Sequence, residues 1–172
     1  NNGCDVVVSD LDTDLRNEEL ATKCDVVVIS VPIGVTVKVI DSIAALVKKE
    51  SLLLDLTSIK ADPLKAMLKS KCSVVGCHPM FGPSIETMKG QTIVLCKGRG
   101  DKWFNWLHNL FSNAGAKIKI STAEEHDKYM AAIQGALHFS SIAFCHALSK
   151  MGIDLKESLE YASPVYLMRL YS

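Results

Sequence analysis

Short continuous apolar runs alternate with longer amphipathic stretches over residues 1–120. The runs at 4–9, 25–31, 52–56, 73–76, 92–96 and 117–120 read as strands. Most lack a polar residue at every second position, the pattern of strands covered on both faces. Between them, 15–22, 35–48, 62–69 and 101–113 read as helices. The stripe Val35, Val39, Ile43 and Leu46 or Val47 recurs at helical spacing, and Trp103, Trp106, Leu107, Leu110 and Phe111 fall on or near one helix face. Asp62-Pro63 is expected to open its helix, with Asp as N-cap and Pro at the first helical position. Asn1-Asn2-Gly3 reads as a helix ending in the left-handed cap conformation. After residue 120 no strand pattern recurs. Ser121 and Glu124 are spaced as a capping box, and a helix is expected over 122–151, about 45 Å long. Gly152 ends it, and another helix runs from Asp154 to the C-terminus with a break at Pro164. Strands alternating with helices predict an α/β fold, Rossmann-like and doubly wound on a mostly parallel sheet, over 1–120. Residues 121–172 then begin an all-helical domain.

Charge and cysteine content narrow the partners. Nineteen basic and nineteen acidic residues cancel, which gives no electrostatic case for nucleic acid or an anionic membrane. The polar start Asn1-Asn2-Gly3 carries no signal-peptide segment, and the apolar run around 26–37 is broken by Pro32, so no transmembrane span is expected. Six cysteines occur without a C-x-x-C pair, several inside strand-like runs. Buried reduced thiols, and hence the cytoplasm, are expected. Cys72, Cys77 and His78 lie close together but lack a second ligand pair, so no metal is expected.

One stretch concentrates chemistry: Gly76-Cys77-His78-Pro79-Met80-Phe81-Gly82-Pro83. Pro79 biases His78 towards an extended backbone, which presents the imidazole from a stiff loop at a strand's carboxyl end. Such a histidine is suited to general base work, or it merely caps a turn. Asp10 ends the first apolar run, where a dinucleotide-binding fold keeps the acid that holds the adenosine ribose. A turn aspartate is the alternative, and Asp12 competes for the role. No G-x-G-x-x-G occurs. If 4–9 is the second strand of such a fold, its first strand and glycine loop are expected before Asn1, in the middle of the sheet.

Four motifs carry a family resemblance: residues 24–33, Cys24 through Ser30-Val31-Pro32-Ile33; Asp55-Leu56-Thr57-Ser58-Ile59-Lys60; the 76–83 stretch; and Glu125-His126-Asp127 through Gln134 to His138-Phe139. Together they resemble prephenate dehydrogenase, above all the enterobacterial type fused behind a chorismate mutase domain. The resemblance spans essentially the whole chain. It implies oxidative decarboxylation of prephenate to 4-hydroxyphenylpyruvate with NAD, in tyrosine biosynthesis, by a dinucleotide-binding domain followed by a dimerising helical domain. By resemblance His78 is the catalytic base. Ser58 helps hold the substrate hydroxyl and His78, and Lys60 is a cation near the site. Lys60 reads equally as a solvated turn lysine. Ser30, Val31 and Pro32 pass along the nicotinamide half of the cofactor, and Asp10 favours NAD over NADP. His138 contacts substrate, and Gln134 stands with it on an i, i+4 ladder of His126, Met130, Gln134 and His138. The ladder lines a cleft, or it makes helix–helix hydrogen bonds; His126 reads as structural.

Two family features are missing, the glycine loop and a downstream arginine that clamps the ring carboxylate. The chain alone is therefore expected to be inactive and the full-length protein active. Arogenate is the alternative substrate. A 3-hydroxyacid type of dehydrogenase would place a lysine base in its helical domain, and a non-catalytic nucleotide-binding or regulatory module would leave His78, Ser58 and Lys60 without a purpose. Small residues after Thr122, such as Ala131, Ala132, Gly135 and Ala136, with Ile133, Leu137 and Phe144, predict a homodimer through the helical region.

Overall fold

The computed structural model describes residues 3–170. The expected helix ending at Asn1-Asn2 and the C-terminal helix end at Tyr171-Ser172 lie outside the described residues. The strands are β1 (Val26–Ile29), β2 (Leu52–Asp55), β3 (Ser73–Pro79), β4 (Thr92–Arg99) and β5 (Lys117–Ser121), in that spatial order. β1, β2 and β3 run parallel, β4 is antiparallel to β3, and β5 is parallel to β4. The helices between them are α1 (Asn17–Lys23), α2 (Ile33–Ile43), α3 (Ala61–Met67) and α4 (Asp101–Asn113).

Side chains alternate across a strand, so each apolar run feeds two cores. Val27, Ile29, Leu53 and Val74 join Ile40 of α2 and Met67 of α3 on one face. Leu52, Leu54, Val75, Cys77, Ile93 and Leu95 join Phe104 and Leu107 of α4 on the other. Two filled faces are why these strands read as unbroken apolar runs.

The first expected strand does not form. Residues 4–9 hold no ladder partner among the described residues, and Val6 and Val8 are 80% and 65% exposed. A strand needs a neighbour, and neither β1 nor any other described element pairs with this segment. The β3 strand, by contrast, runs past the expected end at Gly76 through Pro79. Antiparallel β4 pairs with it to the end, His78 opposite Val94 and Pro79 opposite Ile93. His78 therefore stands in a strand and not in a loop, with the extended backbone that Pro79 favours.

Two caps also shift. Asp62 lies inside α3, whose N-cap is Lys60. Ser121 stays in β5 opposite Cys96, so the cap falls to Thr122, whose Oγ1 accepts from the Glu125 N–H at 3.1 Å. Ser121 Oγ donates instead to the Glu125 carboxylate at 2.7 Å.

The chain forms two compact units, the first ending at Asp127 and the second beginning at Lys128. A helix opens as α5 (Ala123–Met130), continues as a π-helical segment (Ala131–Ala136) and resumes as α6 (Leu137–Lys150). The π segment replaces i→i+4 with i→i+5 bonds, and so breaks the expected ladder beyond Met130. Over its 28 residues an 18-residue window reaches a mean hydropathy of 1.2, enough by length and composition alone to cross a membrane. The second unit closes with α7 (Leu155–Ser158), a 3-10 turn (Leu159–Tyr161) and α8 (Pro164–Leu170). Within it Phe144 meets Tyr166 edge-on, with ring centroids 5.8 Å apart, and Tyr166 donates to Ser158 Oγ at 2.7 Å.

Candidate active site

The parallel run of β1, β2 and β3 brings three predicted segments to one edge of the sheet. Ile29, Asp55 and Gly76 lie in register. Ser30-Val31-Pro32 follow the first, Ser58 follows the second, and His78 stands two residues beyond the third. In open α/β sheets the carboxyl ends of the strands are where ligands bind.

Beneath this edge lies a buried ion pair. The Lys60 side chain turns into the protein and is fully buried, as is Asp55. Its ammonium pairs with Asp55 Oδ2 and donates to the Cys77 carbonyl at 2.9 Å. Thr57 Oγ1 also donates to Asp55 Oδ2. Gly76 makes room: a Cβ there would stand 3.0 Å from Lys60 Cδ. Lys60, expected as a cation near the substrate, is thus bound to an internal carboxylate and to the peptide just before His78. Among the described residues Asp55 Oδ1 is the single buried side-chain oxygen or nitrogen without a hydrogen-bond partner.

Above this pair, three side chains form a line. The Asp127 carboxylate closes the start of α3, accepting the Lys60 N–H at 2.7 Å on Oδ1 and the Ala61 N–H at 2.9 Å on Oδ2. It thereby satisfies two of the orphan donors that every helix start leaves. The same Oδ1 lies 2.8 Å from His126 Nδ1. His126 Nε2 in turn lies 2.8 Å from His78 Nδ1. Both imidazoles are buried, 5% exposed for His78 and 2% for His126. Burial, followed by His126 and Lys60, pushes the His78 pKa down to about 4, against a pull upward from Asp127. Burial raises the Asp127 pKa, but the hydrogen bonds from Ala61, His126 and Lys60 outweigh it and hold the carboxyl below its usual range. Burial lifts the Cys77 thiol to about 12, leaving it protonated and unreactive.

A proton balance follows. An unfolded histidine binds a proton below about pH 6.5, which His78 in the folded protein refuses until about pH 4. The unfolded state thus binds more protons in this window, and folding stability falls as the pH drops through it, by about 1.4 kcal/mol per pH unit for this group. Above pH 6.5 the effect vanishes. Urea midpoints measured from pH 7 to 4.5 are expected to decline, and to decline less steeply in His78→Gln.

The other predicted residues are placed as follows. Ser58 is half-buried, and its hydroxyl makes no hydrogen bond among the described residues. Asp10 is exposed in a turn closed by the Thr13 N–H to Asp10 carbonyl bond of 3.2 Å, and its Oδ1 accepts from the Leu11 N–H at 2.7 Å. An open groove of about 920 Å³ brings Asp10 together with Ser30 and Val31, between residues 3–10 and the edge of β1. Pro32 caps α2, whose start has no side-chain cap and no acidic residue in its first turn. Gln134 is half-buried in the π segment and His138 is exposed in α6, both in the second unit. The sequence alone reads His126 as structural and gives Asp55 and Asp127 no role. A carboxylate at the end of the apolar run Leu52-Leu53-Leu54 demands a cation, a signal that pointed to Lys60.

Comparison with known proteins agrees with this fold. Residues 6–120 match the family model of the prephenate dehydrogenase nucleotide-binding domain, and residues 122–170 that of the prephenate dehydrogenase dimerization domain. The chain is 40% identical over 157 residues to a probable arogenate/prephenate dehydrogenase of Methanocaldococcus jannaschii, covering 88% of this chain and 35% of that protein. It is also 40% identical over 154 residues to the T-protein of Haemophilus influenzae, covering 89% of this chain and 41% of that one. It therefore spans well under half the length of these relatives. The crystal structure of prephenate dehydrogenase from Aquifex aeolicus in complex with hydroxyphenyl propionate and NAD+ superposes with a TM-score of 0.73 at 17% identity, over 90% of this chain and 57% of that one. On the strength of both family models, which between them take in nearly every residue, the chain belongs to the prephenate dehydrogenase family.

Proposed function

We propose that the full-length protein converts prephenate to 4-hydroxyphenylpyruvate by NAD-dependent oxidative decarboxylation in tyrosine biosynthesis, and that His78 is its base. The observation that carries this is the state of His78. Its Nδ1 is engaged by His126, while Nε2 has no hydrogen-bond partner among the described residues. It is not among the sealed, unpartnered polar atoms, so it keeps an opening to the outside. A neutral imidazole with one free nitrogen at the edge of the sheet is what a proton acceptor requires.

The residues present fit part of a dinucleotide. Asp10 lies in the groove with Ser30 and Val31, an acid for ribose hydroxyls beside backbone for the nicotinamide half. The sequence holds no G-x-G-x-x-G to cradle the phosphates. When bound, NAD supplies the hydride acceptor. His78 Nε2 takes the proton of the ring hydroxyl as its carbon becomes a carbonyl. Once the ring carboxylate leaves as carbon dioxide, the freed electron pair passes round the ring to that oxygen. His78 returns the proton there, and the ring is aromatic. Ser58, with a hydroxyl free to bond, orients the substrate hydroxyl towards His78. Lys60 is a positioning residue that holds the Cys77 peptide and hence His78. His138 and Gln134 meet the substrate from the helical domain. That domain makes the homodimer, and its exposed Ile133, Leu137 and Ile142 are assigned to the interface. The thiols of Cys24, Cys72, Cys77, Cys96 and Cys145, none in a disulfide, suit the cytoplasm.

The test supplies full-length protein with NAD and either prephenate or arogenate, and follows NADH absorbance. Turnover of prephenate is expected, with a higher kcat/KM than for arogenate. The reverse preference assigns arogenate as substrate, and no NADH from either overturns the dehydrogenase reading.

A further inference from the structure

We propose that Asp127 and His126 set the tautomer of His78, so that its lone pair lies on the open Nε2 and not on the buried Nδ1. This inference rests on the reading of His78 as the base, and adds two positioning residues to it. The starting point is the one member of the line whose role is fixed. Asp127 is bound by two backbone N–H groups, from Lys60 and Ala61, and these suit only an acceptor. An ionised carboxylate accepts and never donates. His126 Nδ1, 2.8 Å away, must therefore carry its hydrogen.

The rest follows along the chain of bonds. With the hydrogen on Nδ1, neutral His126 has its lone pair on Nε2. That atom lies 2.8 Å from His78 Nδ1, which must then be the donor. Neutral His78 has one hydrogen, now spent on Nδ1, and Nε2 is left as the acceptor. The alternative is a doubly protonated His126 that donates to His78 Nδ1 and forces the hydrogen of His78 onto Nε2. That places a cation on a side chain 2% exposed, in the neighbourhood of the buried Lys60 ammonium. Asp127 would pair with that charge, but burial and the Lys60 ammonium oppose it, and the carboxylate is already engaged by two backbone N–H groups. The charged and titratable groups acting on His78 are His126, Lys60 and Asp127.

The positioning is mechanically well founded. Asp127 is held through both oxygens, so it cannot turn away from His126 without opening the first turn of α3. Lys60, the N-cap of that helix, reaches under β3 to the carbonyl of Cys77. The same residue thus offers its N–H to the far end of the relay and its ammonium to the peptide before His78.

Long-range nitrogen–proton NMR of the imidazoles reads the tautomer without any turnover. Wild-type protein at neutral pH is expected to show His78 protonated on Nδ1 alone. In Asp127→Asn the amide keeps one acceptor for the helix start and turns its NH₂ to His126 Nδ1. Both rings must then reverse, and His78 is expected on Nε2–H, with kcat in the full-length enzyme reduced about 100-fold at little change in KM. A misdirected catalytic histidine in serine proteases loses rate by this route. His126→Gln, which offers an oxygen to His78 and an N–H to Asp127, is expected to keep Nδ1–H on His78 and kcat within about tenfold of wild type. A wild-type His78 protonated on Nε2, or an Asp127→Asn protein with the tautomer unchanged, overturns the proposal. Failure of the dehydrogenase reading is separate. It shows as wild-type protein with His78 on Nδ1–H that oxidises neither prephenate nor arogenate.

Discussion

His78→Asn in the full-length protein is expected to lower kcat for prephenate by about 10³–10⁴-fold, near the upper end of what a positioned general base contributes. The substituted amide can still accept a hydrogen bond, so substrate binding should survive, and KM is expected to stay within a few-fold. The split between kcat and KM is the informative part. A histidine that served only to pack β3 against α5 would, when replaced, cost stability and leave turnover per folded molecule intact. Here the stability change should be small, because at neutral pH the buried imidazole is already uncharged, its pKa held down to about 4. Steady-state kinetics beside a urea titration separates the two cases. An undiminished kcat removes His78 from the chemistry.

Lys60→Met is expected to destabilise the protein by about 3–5 kcal/mol, the range for breaking a fully buried ion pair from one side. The reasoning turns on what remains. Asp55 is fully buried, and one of its two oxygens already lacks a partner. Without the ammonium, only Thr57 would face the carboxylate through its hydroxyl and N–H. The methionine is close to isosteric with the lysine stem, so lost packing contributes little. Adding Asp55→Leu should recover more than half of the loss, since replacing both charges with apolar groups removes the unpaired one. Chemical denaturation of the single and double variants measures this directly. A single-variant cost below about 1 kcal/mol would mean that the ammonium does not compensate Asp55.

Much of the α/β unit is legible from short-range pattern. The runs at 52–56 and 73–76 read as strands because Leu52-Leu53-Leu54 and Val74-Val75 are short, apolar on successive residues and bounded by polar turns, as a doubly covered sheet requires. The run at 4–9 has the same look and forms no strand, because pairing is a property of two segments and a pattern describes one. The end of β3 was misplaced for a related reason: only β4, arriving antiparallel, keeps residues 77–79 in the ladder. Asp62-Pro63 looked like a helix start, yet the cap of α3 comes from Asp127, 66 residues away from the Ala61 it binds. In the site, Ser58 could be read as a candidate because it follows a strand of the parallel run, and His78 because it stands at the carboxyl end of another. Lys60 was found for its position and not for its direction, since a turn lysine and a buried one share the same local sequence. His126 reads only as structural and Asp127 has no assigned role, because their partners lie far along the chain, 48 residues away for His126 and 66 and 67 for Asp127.

The two ends of the sheet differ in one respect that matters for handling this protein. β5 closes its end with Lys117 and Lys119, both exposed, charges of the kind that keep one sheet from adding to another. β1 has no such guard. Its sequence is Val26-Val27-Val28-Ile29, its outer edge is unpaired among the described residues, and Val28 is 47% exposed beside the similarly open Val6 to Val8. Left uncovered, that row of amides is a template on which a second molecule can lay a strand. With that edge open, β1 is where aggregation of this chain is expected to begin.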